Sequence, residues 1–335
     1  MIENSNVVKT KNSSKEFYFS SKNVEDSLKN MQKQGITRLI VHDPAITTKK
    51  ESFLRFLRIA QRDASELFYT FYLSPQIIDR EICTILENLY CSIQFHISDN
   101  VDKRLFQRKT ELLNRMGLIF GFNLDIFTGK DDTIKKFRER LDFALSCYPN
   151  HIDFFQLEKK LPPSTGCFSS QDIKNAFNIA FACSVFYSAG RAVPWFLSII
   201  RPLKISPIKF FSDFSEWLQC NNCGYETKFD PFSISHMEIE KMQLLFIQLK
   251  YEEKNLHHIF SIVQEIVRLN GAFSRLAGEN EESVIDLIFN PDDLLSPYAN
   301  DILQFADNVC MEQCKVKIYT SVSTDGTEFP DYKIL

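Results

Sequence analysis

The sequence predicts an α/β protein: a parallel sheet or barrel followed by a mainly helical region. Helix and strand patterns alternate five times across residues 22–160. The strand candidates are short apolar runs such as Leu39-Ile40-Val41, the form expected of strands covered on both faces. The stretch 121–166, GFNLDIFTGKDDTIKKFRERLDFALSCYPNHIDFFQLEKKLPPSTG, reads by itself as one βαβ unit.

In that unit Phe122 to Phe127 is a strand, Thr133 to Cys147 a helix and Ile152 to Leu157 a second strand. Thr133 can cap the helix, and Ile134, Phe137, Leu141 and Leu145 share one face. Lys135, Lys136, Arg138 and Arg140 fall mostly on the others, either steering an anion or forming a solvated surface. Upstream, Val24, Leu28 and Met31 mark a helix leading through Gly35 to the strand that ends at His42-Asp43-Pro44. A helix around Phe53 to Ala60 and the strand Leu67 to Tyr72 follow. Pro75 opens the next helix, Ser92 to Ser98 is a strand, and Val101 to Met116 a helix.

After Gly166 the pattern changes. Asp172 to Tyr187 is apolar nearly all round, as in a buried helix. Ile208 to Leu218, Met237 to Lys250, Leu256 to Asn270 and Tyr298 to Cys310 are further helices, 271–297 is mixed, and Val316 to Thr320 is a terminal strand. The polar residues 1–15 read as a disordered leader, and a soft boundary falls near 205.

Bulk properties exclude some functions. A net charge of −4 with no long basic run argues against nucleic acid as partner, and no apolar run of membrane-spanning length occurs. Neither GxGxxG nor GxxxxGK[ST] is present. Nine cysteines, an odd number scattered through apolar segments, fit a reducing cytoplasm better than a disulfide framework. Thirty-one Phe against ten Gly point to a phenylalanine-rich core.

In a parallel barrel, chemistry lies at the C-terminal ends of the strands. The residues there are His42 and Asp43; Gln94, His96 and Ser98; Asn123 and Asp125; and Gln156 and Glu158. Within each strand group the alternate polar residues share a face. A lumen so lined holds a ligand, or it is a mutually hydrogen-bonded polar network. Two cysteine pairs, Cys220/Cys223 and Cys310/Cys314, could supply four thiolates to zinc or an iron–sulfur cluster if they meet.

The order of these segments resembles the radical S-adenosylmethionine barrel, in particular its cobalamin-binding-domain subgroup. FYFSSKNVEDSLKNMQKQGITRLIVHDPAI looks like that family's second βα unit, and SIQFHISDN stands in place of its fourth strand. LDIFTGKDDTIKKFRERLDFALSCYPNHIDFFQLEKKLPPSTG is the nearest match, and PWFLSIIRPLKISPIKFFSDFSEWL resembles the helical region after the barrel. The resemblance covers about two thirds of the chain. It implies a partial or open (β/α) TIM-like barrel over 16–205, a helical C-terminal domain with a terminal strand over 206–335, and S-adenosylmethionine with a [4Fe–4S] cluster as cofactors.

The departures bear on activity. The family holds its cluster on CxxxCxxC, a spacing absent here, and the first strand and a cobalamin-binding domain have no counterpart. Thr128-Gly129-Lys130-Asp131 stands where the family has GLPG, and His96 and Ser98 where it tends to have Gly and Glu. The expectation is therefore a degenerate barrel acting as a non-catalytic binding or partner subunit. One alternative is an enzyme, with a cluster on Cys220, Cys223, Cys310 and Cys314 or with chemistry repurposed around His42, His96, Asp125 and Glu158. Another is a fragment, completed by a second chain that carries the missing strand and cluster loop.

Overall fold

The computed structural model describes residues 7–8, 17–18, 23–99, 101–323, 326 and 328–335. Apart from Val7–Val8, the expected disordered leader lies outside the described residues. The chain divides into two compact units, Met1–Lys159 and Lys160–Leu335.

The first unit begins with an antiparallel pair, β1 (Val7–Val8) and β2 (Phe17–Tyr18). It continues through α1 (Val24–Lys33), β3 (Arg38–Val41), α2 (Pro44–Thr47), α3 (Lys50–Asp63), β4 (Phe68–Tyr72) and α4 (Arg80–Leu86). Then come β5 (Cys91–Ile97), α5 (Lys103–Arg115), β6 (Phe120–Leu124), α6 (Ile134–Ser146) and β7 (His151–Asp153). Strands β3 to β7 form one five-stranded sheet, parallel throughout, in which the order in space equals the order in sequence. Side chains cap four of the helices: Asp43, Asp79, Asp102 and Thr133 accept from Ala45 N, Ile82 N, Leu105 N and Lys136 N.

The two faces of this sheet differ. Leu39, Val41, Tyr69, Phe71, Ile93, Phe95, Phe120, Phe122 and Ile152 are buried and point to one side. Phe53 of α3 meets Phe71 edge-on at 5.1 Å between centroids, and Phe106 of α5 meets Phe95 at 5.8 Å and Phe122 at 6.1 Å. The opposite face carries Arg38, Thr70, Tyr72, Ser92, Gln94, His96, Gly121, Asn123, His151 and Asp153. The polar face that the alternation of Gln94 and His96 predicts is present and extends across the sheet, opposite an apolar face.

Two boundaries differ from expectation. The strand placed at 122–127 runs from Phe120 to Leu124, and the one placed at 152–157 stops at Asp153. Phe155–Glu158 then forms a 3₁₀ turn, with Leu157 N donating to Phe154 O at 2.9 Å. Its Gln156 side chain accepts from Ile126 N and Phe127 N at 2.7 and 2.9 Å and donates to Phe127 O at 2.7 Å. The chain leaves the strand to make these bonds.

Arg140, which the sequence grouped with solvated cations, is only 4% exposed. It falls one turn from Phe137 and Ala144, on the inner side of α6. Its guanidinium bonds Asp132 through both terminal nitrogens, at 2.7 and 3.1 Å, and also pairs with Asp99. It donates further to the carbonyls of Asp125 and Ile126. Burial alone would raise the Asp132 carboxyl; Arg140 and the amides of Thr128 and Thr133 outweigh it and hold it below the usual carboxylate range.

The second unit holds α7 (Ser170–Cys183), which passes directly into a π-helical segment, Ser184–Ala189, then α8 (Phe196–Ile200) and α9 (Pro207–Cys220). The long helices α10 (His236–Glu253) and α11 (Phe260–Glu279) follow. Next come β8 (Ser283–Leu287), α12 (Pro291–Leu295), α13 (Ile302–Asn308), β9 (Cys314–Val322) and β10 (Glu328–Ile334). The three strands make an antiparallel sheet of order β10-β9-β8, where one terminal strand was expected. The helix expected over 298–310 splits into a 3₁₀ turn, Pro297–Asn300, and α13, whose first turn Asp301 caps. The boundary expected near 205 falls inside this unit, between α8 and α9; the rings of Phe196 and Phe211 stack across it at 5.0 Å.

Phe186, in the π segment, touches the rings of Trp195, Phe196, Phe210, Phe211 and Phe214. The carbonyls that the π turn and the following bend leave open are taken by α10. Gln243 donates to Phe186 O and Gly190 O at 2.7 and 3.0 Å, and His236 Nε2 lies 3.3 Å from Gly190 O. His236 is buried, and burial together with the nearby Arg191 and Arg275 charges lowers its pKa to about 4. Among the described residues no helix is long and apolar enough to cross a membrane.

Two outcomes follow. Arg140→Met strands the Asp132 carboxylate in the interior and lowers stability by about 3–5 kcal/mol, read by urea unfolding. His236 stays neutral when folded but binds a proton when unfolded. Its contribution is therefore full above pH ~6.5 and fades as pH falls toward 4, by about 2 kcal/mol between pH 7 and 5. Unfolding curves at the two pH values measure this, and His236→Gln flattens the slope.

Candidate functional site

The polar face of the parallel sheet encloses a cavity of about 380 Å³. Its walls are Arg38 and Ile40 of β3, Phe68, Thr70 and Tyr72 of β4, Ser92 and Gln94 of β5, His151 and Asp153 of β7, and Phe155. Register explains why these residues meet. Tyr72, Gln94, Gly121 and His151 stand in one row across four strands, and His96, Asn123 and Asp153 in the next row toward the strand ends.

Gly121 makes the first row work. A Cβ built there would lie 2.2 Å from His151 Nε2, so the imidazole occupies the space that any other residue would fill. Laid across Gly121, the ring reaches Gln94, with which it is in contact through Nε2. Gln94 Nε2 also donates to Asp153 Oδ2 at 3.2 Å, and Asp153 Oδ2 lies 3.5 Å from His151 Nε2. Gln94 is 4% exposed, and its Oε1 has no hydrogen-bond partner among the described residues. A buried amide oxygen without a donor costs about 1–3 kcal/mol. Burial, and secondarily the Asp153 charge, raise the pKa of Tyr72.

The predicted residues divide into several groups. Gln94 belongs to the cavity wall. His42 packs its ring on Tyr72 at 4.8 Å, beside the cavity. Asp43 caps α2 through Ala45 N at 2.9 Å, and its Oδ2 is buried without a partner among the described residues. His96 and Asp125 form a separate dyad, Nε2 to Oδ2 at 2.9 Å, with the His96 side chain half-exposed. The Asp125 hydrogen bond outweighs burial and raises the His96 pKa. Asn123 lies between His96 and Asp153 in the second row, and Ser98 follows the last residue of β5. Gln156 has both ends of its amide committed to residues 126–127, which makes it a clamp on the loop. Glu158 is exposed at the end of the 3₁₀ turn rather than on a strand face.

The cysteines are not gathered. Cys220 ends α9 and Cys223 follows it, whereas Cys310 precedes β9 and Cys314 begins it, with its Sγ 3.6 Å from Phe289 O. All nine thiols are free, and among the described residues no group of three or more His, Cys, Asp or Glu is placed to hold a metal ion. A four-thiolate centre is therefore not assembled.

Sequence reasoning missed Arg38, Tyr72, His151 and Asp153 of the cavity. His151 and Asp153 alternate around Ile152 and could have been found by extending the strand one residue upstream; Arg38 and Tyr72 could have been found by their even spacing with Ile40 and Thr70. No protein-family model matches this chain, and no curated protein matches it.

Gly121→Ala displaces the His151 ring; we expect a changed His151 side-chain resonance and a loss of about 1–3 kcal/mol in unfolding stability. Asp125→Asn removes the partner that favours protonated His96. An NMR titration is expected to show His96 losing its proton at lower pH in the variant. The pairing stabilises the fold below the ordinary histidine range and fades as pH rises through the raised value.

Proposed function

We propose that the chain binds a small polar ligand on the polar face of its parallel sheet and performs no radical chemistry on these residues. The observation that carries this reading is the 380 Å³ cavity lined by Gln94, His151 and Asp153, in which a buried amide oxygen has no donor among the described residues. That volume falls at the lower end of small-molecule sites, and its mixture of aromatic walls with a few converging polar groups is what such sites use.

The barrel reading is part of the proposal. Strands laid down in sequence order, without a reversal, are wound as in a β/α barrel rather than as in a doubly wound sheet. Taken with the resemblance to the radical S-adenosylmethionine barrel, this makes S-adenosylmethionine the first ligand to test. The cluster motif of that family is missing from these residues. A binding or partner subunit accounts for a retained lumen without it.

A second reading is favoured by one observation: among the described residues β3 and β7 end the sheet with no further strand paired to them. β1 approaches β3, so the β7 edge in particular offers itself to a strand from another chain. A partner carrying a further strand and a cluster loop would pair there.

Calorimetric titration with S-adenosylmethionine and with 5′-deoxyadenosine tests the first reading. We expect binding that weakens at least tenfold in Gln94→Ala, with an unchanged melting profile as the control. Absence of heat at millimolar ligand removes the adenosyl version. The second reading expects a non-cooperative melt and dye binding for the isolated chain; a sharp, cooperative transition removes it.

A further inference from the structure

The cavity carries unlike charges on its two outer strands. Arg38 stands on β3 and Asp153 on β7, the two ends of the sheet, and both line the same space. The Arg38 guanidinium rests on the Phe68 ring, 5.6 Å from its centroid, and among the described residues no carboxylate lies within ion-pair distance of it. Asp153 faces the other way, toward Gln94 and His151. Between them the walls are hydroxyls and an amide: Thr70, Ser92 and Gln94, with Ser92 Oγ donating to Thr70 Oγ1 at 3.4 Å.

We infer that the cavity takes a linear zwitterion whose charges lie far apart, of the class of short peptides with free termini. The anionic end pairs with Arg38 and the ammonium with Asp153, while an N–H supplies the donor that Gln94 Oε1 lacks. The inference rests on the reading of this cavity as a ligand site. Four interstrand steps of ~4.8 Å and a register offset of six residues at ~3.3 Å place the two Cα atoms at most ~28 Å apart along the sheet. Twist and the reach of the Arg38 and Asp153 side chains shorten that span. Three to five extended residues reach about 10–17 Å. An α-amino acid, with both charges on one carbon, is too short to touch both groups.

The test is calorimetry with triglycine, tetraglycine and pentaglycine, each also with an amidated C-terminus or an acetylated N-terminus, and with glycine alone. The His151 ring resonance reports where binding occurs. We expect one of the three peptides to bind and to shift that resonance. Either block should weaken binding at least tenfold, and glycine should fail. In Arg38→Ala, on an exposed edge, amidation should no longer matter; in Asp153→Asn, acetylation should no longer matter. Equal affinity for blocked and free peptides overturns the assignment. Peptides that fail while S-adenosylmethionine shifts His151 overturn it and leave the ligand site standing. If no ligand moves His151, both fall.

Discussion

The Arg140 guanidinium is where the first unit is tied together. One buried side chain joins the carboxylates of Asp99, beyond β5, and Asp132, ahead of α6, to the carbonyls of Asp125 and Ile126 at the exit of β6. A parallel sheet depends on such knots, because each strand must hand the chain to a helix at the same edge where its neighbour does. Asp132 turns the loop by accepting from Thr128 N and Thr133 N, and Thr128 Oγ1 reaches back to Asp99. A charge-assisted network with every member engaged holds these loops in one arrangement, whereas a half-satisfied one would loosen them. The orientation of Asp125, and with it the His96 dyad, derives from this knot.

The cavity is built differently, by register and by an absence. Nothing in the knot fixes His151; its place follows from β7 pairing with β6 so that the ring lands over Gly121. The two sets of polar residues thus arise from separate constraints, one electrostatic and one steric. This explains why the His96 dyad and the His151 group sit in adjacent rows without sharing a partner in the contacts described above.

Much of the first unit was legible in the sequence because its signals are local. Thr133 marks a helix start that the structure keeps, and the α6 stripe of Phe137, Leu141 and Leu145 is buried as its spacing requires. What was not legible depends on partners distant in sequence. Arg140 looks like any surface cation until Asp99 and Asp132 are brought beside it. His151 and Gln94 are far apart along the chain and meet only through strand register. β10 was invisible because EFPDYKI contains a proline and little alternation, and is a strand by virtue of pairing with β9. Gln156 and Glu158 alternate as strand residues would, but the clamp that Gln156 makes on 126–127 draws that segment out of the sheet.

The π segment at Ser184–Ala189 bears on how this chain tolerates length changes. A π turn carries one residue more than the α-helix around it, and here the surplus aims Phe186 into five other rings. Removing a single residue there would restore regular helical winding and rotate everything beyond by about a quarter turn or more, at 3.6 residues per turn. Gln243 would then lose the carbonyls it serves, and Phe186 its neighbours. The bulge acts as a phase-setter: in this helix, residue count matters as much as residue kind.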